Sequence, residues 1–540
     1  MYSNEIYDNR RLPYGLADFS NIREKNKIYV DKTELIYKIA SHDVPIFFSR
    51  PRRFGKSLLI NTLSCLFEKG LEYFHGLEIE KKWNDTTYKV VHIDFSEIAN
   101  CTEQEFKYLL STTIINEFNI DYRIQENSQK FQYPNIIFSE IIKRYNNSSL
   151  VLLIDEYDSP LVHHIHEPDT LKAIMNTLNN FYATVKRYTD KFRFIFITGV
   201  TRSSHVSIFS AFNNLLDLSF RDEFNSLLGF TKEDIKQYFD QYIENASRVL
   251  NVKNNDIYKN LEHYYDGFQF TLSAKETVYN PWSVISFFYN PNGGFSNYWF
   301  ESGGTPSIIM SYLKINDTFD FLDYNKRDVF IEFNKILRKY EITDIPIHIL
   351  LFQAGYLTIR DEHDGTVHLV LPNTEVEESL MMLYLENNNL TPSRELKQIM
   401  KNICNDIDTR NLKSIVNIFN SILNECVSSL SNIFNDERSI RDIIYAALIQ
   451  IPSLQKIKER ETLKGKSDLE LITKKTCMII EFKRTYPQRD PKDSLKQAVN
   501  QIKENRYGEI FSQTHSIYRV GMVVSSDKKM ILYDFCSEVI

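Results

Sequence analysis

Three features predict an α/β protein with several cores. A chain of 540 residues is longer than the roughly 250–300 over which one hydrophobic core grows. Its 43% apolar and 25% charged residues are the composition of a folded chain, not a disordered one. Its N-terminal part alternates short apolar runs with amphipathic stretches, the pattern of a parallel sheet covered by helices on both faces.

Taken in order, apolar runs at residues 45–48, 90–95, 150–154, 192–198 and 215–220 predict buried strands, and stretches 58–67, 103–118 and 171–188 predict helices between them. These make a first domain over residues 1–230. From 231 to 265 the pattern turns helical, opened by the capping signal Thr231-x-x-Asp234. A helical lid and middle region over 231–430 begins here. Within it, 290–306 gathers Gly, Asn, Ser and Pro as an exposed connection, and 388–430 is mostly helical. Residues 347–357, a turn at 361–365 and a run at 367–371 predict a helix feeding a β-hairpin, either the wing of a winged-helix region or a hairpin against the lid. A boundary at 429–435 leads into a last domain over 431–540. There helix 438–448, strands 466–473 and 476–483, helix 494–506 and strand 516–524 follow in α-β-β-α-β order.

Composition narrows the function classes. No apolar run approaches the roughly 20 residues that cross a bilayer, and residues 1–15 lack the apolar core of a secretory leader. The expected setting is therefore cytoplasmic, without a membrane. Cys65, Cys101, Cys404, Cys426, Cys477 and Cys536 stand far apart, without the paired spacing of a zinc site or disulfide framework. No repeat of fixed period suggests a solenoid. A net charge of -7 argues against nonspecific coating of nucleic acid, although residues 431–540 lean basic, with 19 Lys and Arg against 15 Asp and Glu.

Arg50-Pro51-Arg52-Arg53-Phe54-Gly55-Lys56-Ser57 lies between a predicted strand and an amphipathic helix, the position of a phosphate-binding loop. In such a loop, backbone N–H groups at a helix N-terminus surround phosphate, a lysine reaches the β and γ oxygens, and a hydroxyl binds Mg2+. Gly55, Lys56 and Ser57 meet these requirements, although Arg50 holds the place of the usual first glycine. Residues 150–156 (LVLLIDE) end an apolar strand in two acids, so that Asp155 would hold the Mg2+ at Ser57 and Glu156 would polarise the attacking water. The two motifs together predict a P-loop NTPase that binds ATP and Mg2+. Thr198, ending the strand 192–198, is the candidate sensor of the γ-phosphate. Arg52 and Arg53 either neutralise phosphate charge or stay solvated beside it. Arg202 or Arg221 could reach the γ-phosphate in cis or across an oligomer interface.

The stretches 12–19 (LPYGLADF), 29–33 (YVDKT), 50–58 (RPRRFGKSL) and 153–158 (LIDEYD) resemble bacterial AAA-ATPase-like proteins that carry a C-terminal PD-(D/E)XK nuclease-like domain. So do Thr198-Gly199-Val200 with Ser207-Ile208-Phe209-Ser210, Tyr264-Tyr265-Asp266-Gly267 and Asn280-Pro281-Trp282-Ser283, and the likeness spans nearly the whole chain. It implies an N-terminal AAA/STAND-like ATP-binding fold, a P-loop without its first glycine, and a nuclease-like fold at the C-terminus. Asp31-Lys32-Thr33 either positions adenine or caps a helix, and Tyr265-Asp266-Gly267 makes a turn.

At the C-terminus, residues 465–471 (GKSDLEL) and 478–483 (MIIEFK) read as the two strands of a hairpin. Alternate strand residues share a face, so Glu481 and Lys483 project together, and pairing brings Asp468 alongside. Two carboxylates, Asp468 and Glu481, can bind Mg2+ at a phosphodiester while Lys483 orients or activates the attacking water. Such a site hydrolyses DNA. By the resemblance, Gln501 takes the place of a Gln-Ile pair ahead of a Tyr and would touch the lysine or a phosphate; Lys466 stands where related sequences often have Arg, and Glu461 could supply a further acid. The expected function is an ATPase whose nucleotide state controls a Mg2+-dependent DNA nuclease. The alternatives are a nucleotide-dependent regulatory or scaffold protein with an inactive nuclease fold, and a structural protein that turns over neither ATP nor DNA.

Overall fold

Five strands form the N-terminal sheet: β1 (Ile46–Ser49), β2 (Lys89–Asp94), β3 (Leu150–Asp155), β4 (Phe192–Gly199) and β5 (Leu216–Asp217), in the order β2-β3-β4-β1-β5. Every pairing is parallel. β1 and β3 are buried along their whole length. Their sequences run apolar without alternation, as strands covered on both faces do. Helices Lys56–Lys69, Glu103–Glu117, Pro134–Ile142 and Pro168–Arg187 lie between the strands in the chain. β5 is shorter than its apolar run because the Asp217 carboxylate accepts the Ser219 N–H at 2.9 Å, a local turn that ends the ladder.

This computed structural model describes residues 11–120, 133–202, 212, 214–274, 276–300, 302, 309–310, 329–387, 391–427, 437–451, 453–458, 461–462, 465–512 and 515–539. The Ser207-Ile208-Phe209-Ser210 stretch, the boundary at 429–435 and part of the connection 290–306 lie outside them, as does the Glu461 side chain. The chain divides into two units, one ending at Ser379 and the other resuming at Leu380, so the middle region read from sequence contributes to both.

In the first unit, helix Lys232–Leu250 opens with the capping box of Thr231 and Asp234, and helix Pro281–Tyr289 is capped by the Asn280 side chain. With helix Asn254–Tyr265 they close a core that includes Phe239, Leu261, Tyr265 and Phe287. Helix Ile347–Gln353 leads into β7 (Thr358–His363) and β8 (Thr366–Val370), the hairpin expected there. Its turn residues Asp364 and Gly365 have φ of 51° and 76°, the left-handed pair that a two-residue hairpin turn requires. An unexpected β6 (Val329–Glu332) adds to β8, giving the order β6-β8-β7.

The second unit holds a five-stranded mixed sheet in which the two last strands of the chain lie at and next to one edge. Its strands are β9 (Gln455–Lys458), β12 (Leu469–Ile472), β13 (Thr476–Thr485), β14 (Ser516–Ser525) and β15 (Met530–Val539), with β10 (Glu461–Thr462) and β11 (Gly465–Lys466) as a separate short pair. β13 and β14 are parallel, joined through helix Pro491–Asn505, and the other pairings are antiparallel. Helices Arg394–Met400, Ile403–Asp408, Leu412–Val427 and Glu437–Leu448 precede the sheet. Among the described residues no helix is long and apolar enough to cross a membrane.

Candidate functional site

Because β1 to β4 are parallel, the loops that follow them emerge at one edge of the sheet, where ligands of such folds bind. After β1 the chain turns through Gly55, whose φ of 99° is costly for any residue with a Cβ, and enters helix Lys56–Lys69. The Ser57 side chain comes close enough to the Asp155 carboxyl to favour its ionised form, although β4 separates their two strands. Burial, and then the neighbouring Glu156, push the Asp155 carboxyl up to about 7. A cation shared by Ser57 and Asp155 would relieve that penalty, so this donor pair fits Mg2+.

Lys56 is 4% exposed. Its ammonium stands 3.2 Å from Glu156 Oε1 and donates to the Pro51 carbonyl at 3.3 Å. Glu156 leaves the strand in a left-handed conformation, φ 47°, with its N–H donating to Asp155 Oδ1 at 2.9 Å. Burial opposes its ionisation, but Lys56 and Arg52 outweigh burial and lower its pKa. An ionised carboxylate thus faces the cleft beside the loop lysine.

Arg53, Gly55, Lys56, Ser57 and Glu156 line a cavity of about 480 Å³, within the usual size of small-molecule pockets. Asp94 and Ser96 also line it, and its remaining walls are largely apolar, including Tyr29, Val30, Leu228, Phe230, Trp282 and Ile285. Sequence reasoning missed Asp94, whose one signal is that it ends β2 as Asp155 ends β3. Trp282 stood in a recognised stretch without any assigned role.

Several expected contacts fall elsewhere. Thr198 requires correction: it is 1% exposed and its hydroxyl donates to the Phe48 carbonyl at 2.7 Å, within the β1–β4 ladder, so it does not face the cavity. Arg202 is also committed, donating to Asp217 at 2.6 Å and to the Leu337 carbonyl at 3.0 Å. Asp31 caps, accepting from the Thr33 N–H at 2.8 Å and the Glu78 N–H at 2.9 Å. A residue without an assigned role, Asp158, is 2% exposed and accepts from the Thr201 N–H and hydroxyl at 2.7 and 2.6 Å. It pins the chain after β4 to the chain after β3. Gly199 permits this, since a Cβ there would come 2.5 Å from Asp158 Oδ1.

In the second unit the hairpin register pairs Leu469 with Ile480, which sets Asp468 opposite Glu481. β12 stops at Leu469, and the β13 edge beyond it is met by side chains. Asp468 Oδ2 accepts the Phe482 N–H at 2.8 Å, and Glu437 Oε1, from the first residue of helix Glu437–Leu448, accepts the Arg484 N–H at 2.7 Å. Lys483 contacts Glu481 Oε1 at 2.7 Å and lies 4.0 Å from Glu437 Oε2. Sequence reasoning missed Glu437, because only packing brings its helix to this strand.

Glu481 Oε2 is buried without a hydrogen-bond partner. Burial, then the charge of Asp468, push the Glu481 carboxyl up to about 7, and burial also raises Asp468. An orphaned oxygen on one of two carboxyls that resist joint ionisation fits a divalent cation. Among the described residues no group of three or more His, Cys, Asp or Glu forms a metal shell, so water would complete the coordination, as Mg2+ commonly requires. Gln501 is not in this cluster: its amide donates to the Tyr507 hydroxyl at 3.4 Å, and that hydroxyl donates to the Lys466 carbonyl at 2.6 Å, steadying the chain just before Asp468.

Fold and sites together define an ATPase-like α/β domain followed by a nuclease-like α/β domain. Residues 13–209 match the AAA-ATPase-like family, described as "Predicted AAA-ATPase", and residues 435–533 match the PD-(D/E)XK nuclease superfamily. The chain therefore joins an AAA-ATPase-like domain to a PD-(D/E)XK nuclease-superfamily domain. It is 27% identical to an uncharacterized protein in the vnfD 5' region of Azotobacter chroococcum mcd 1, over 97% of this chain and 98% of that protein.

Proposed function

We propose that the first unit binds and hydrolyses ATP, that the second cleaves DNA, that both use Mg2+, and that nucleotide state controls cleavage. The meeting of Lys56, Ser57 and Glu156 in the cavity wall, with Asp155 buried beside Ser57, carries the reading. The N–H groups that open helix Lys56–Lys69 receive the phosphates, and Lys56 exchanges Glu156 for the β and γ oxygens. Glu156, freed and ionised, takes a proton from the water that attacks the γ-phosphorus as the bond to the β–γ bridging oxygen breaks. In the second unit Lys483 orients the water that attacks the phosphodiester phosphorus while Asp468 and Glu481 face the same phosphate; one bond from phosphorus to a sugar oxygen breaks, the attacking water gives its proton to solvent, and the leaving oxygen takes one from solvent. Ser57 and Asp155 in one site, and Asp468 and Glu481 in the other, would hold Mg2+, which would neutralise phosphate charge.

A second reading, a nucleotide-dependent regulatory protein with an inactive nuclease fold, is favoured by the net charge of -7, which does not suit a chain that grips a polyanion. Purified variants separate the two. Lys56→Ala should lose ATP binding, Glu156→Gln should bind ATP without turning it over, and Glu481→Ala or Lys483→Ala should lose Mg2+-dependent DNA cleavage. Wild-type protein that turns over ATP but leaves DNA intact with Mg2+ or Mn2+ would establish the second reading. Absence of nucleotide binding would remove both.

A further inference from the structure

The phosphate-binding loop lacks the glycine that commonly lets such a loop bend closely, and its shape is supplied from outside. Arg50, in that glycine's place, is 2% exposed, donates to the Ser219 and Phe224 carbonyls at 2.8 and 3.0 Å, and lies 4.4 Å from the Phe270 ring. Pro51 rests on Gly355, where a Cβ would come 2.8 Å from the proline ring. The Arg52 carbonyl accepts the Trp299 indole N–H at 3.3 Å, and the Arg53 guanidinium stacks 4.7 Å from the Trp282 ring. Phe54 meets Phe268 edge-on at 4.8 Å. Every residue from Arg50 to Phe54 is thus held by a residue far along the chain.

The two tryptophans in this set converge on one carboxyl. Glu375 is 0% exposed; its Oε1 accepts the Trp299 backbone N–H at 2.9 Å, and its Oε2 accepts from the hydroxyl of Ser283, the residue beside Trp282, at 2.7 Å. Placing a carboxyl there is costly, and burial pushes it up to about 8. An apolar residue would fill the space without that cost but could not tie the two segments together.

We propose that Glu375 is a positioning residue which, through Trp299 and the Ser283–Trp282 pair, fixes the Arg52 carbonyl and the Arg53 side chain and so presets the phosphate loop for its nucleotide. The proposal rests on the nucleotide-binding reading, and hydrogen exchange of the full chain without nucleotide tests it separately. Trp299→Phe keeps the ring and removes the bond to Arg52; amides 52–55 should then exchange about tenfold faster while β3 is unchanged, and ATP binding should weaken about fivefold. Glu375→Ala should reproduce both effects, and Glu375→Gln, which can still accept from Trp299 and donate to Ser283, should restore both to within about twofold. Exchange at 52–55 and ATP affinity within about twofold of wild type in Trp299→Phe would overturn the proposal, as would equal losses in Glu375→Gln and Glu375→Ala. Should wild type and Lys56→Ala both fail to bind ATP, the nucleotide reading fails, and exchange at 52–55 alone still decides whether the clamp exists.

Discussion

At the scale of single residues, both candidate metal sites hold a carboxyl whose pKa is raised to about 7, Asp155 in one and Glu481 in the other. A raised folded-state pKa means that the folded chain retains a proton that the unfolded chain releases, so the stabilisation exists below the ordinary carboxylate range and is lost as pH rises through 7. The metal-free protein should therefore melt at a lower temperature at pH 8 than at pH 5. For Glu481 alone the effect is on the order of 3 kcal/mol. Millimolar Mg2+ should recover more of the melting temperature at pH 8 than at pH 5, and Glu481→Gln should reduce the pH dependence by this carboxyl's share, leaving that of Asp155 and Glu375; a Glu481→Gln profile that matches wild type would show that this carboxyl ionises freely. Lys56, Ser57, Asp155 and Glu156 could be picked out as candidates because Asp155 ends β3 and the others follow β1 or β3 at spacings the chain itself fixes. Thr198 was misread because whether a strand-end hydroxyl faces solvent or a neighbouring carbonyl depends on strand order, which no local spacing encodes. Glu437 was invisible for the same reason, its role arising only when its helix packs on β13.

At the scale of elements, legibility followed burial. The interior strands β1, β3, β4 and β13 read as apolar runs because both faces are covered. β6, β9 and β15 were missed: β9 is Gln-Lys-Ile-Lys, and β15 alternates irregularly between buried and exposed residues, as an edge strand with one covered face does. Turn glycines separate into two kinds. At Gly267, φ is 95° and a Cβ would lie 2.1 Å from the Pro372 carbonyl oxygen, a backbone atom that cannot swing away. At Gly15, φ is 72° and nothing lies within 4 Å. Gly267→Ala should thus cost about 2–4 kcal/mol in urea unfolding and Gly15→Ala about 1, since only the first adds a clash to backbone strain. Equal costs would mean that the Tyr265-Asp266-Gly267 turn relaxes around the added methyl.

At the scale of the whole molecule, the proposed control of cleavage by nucleotide makes a thermodynamic demand that does not depend on how the two units are arranged. If ATP on the first unit alters DNA affinity on the second by some factor, DNA must alter ATP affinity by the same factor. The doubly blocked variant Glu156→Gln with Lys483→Ala suits this measurement, because it should bind ATP and DNA without consuming either. We expect DNA affinity measured with and without saturating ATP, in Mg2+, to differ by a factor of roughly 5–150, the usual span of coupling between sites. ATP affinity measured with and without saturating DNA should give the same ratio. Unequal ratios would mean that one titration had not reached equilibrium or that assembly changed with protein concentration, since no number of internal states breaks the reciprocity. A ratio of one in both directions would mean that the units bind independently, since a ligand shifts an equilibrium only by its differential affinity for the two states. Control would then have to act on the cleavage step itself, and single-turnover cleavage by the Glu156→Gln variant, with and without ATP, would be the remaining place to find it.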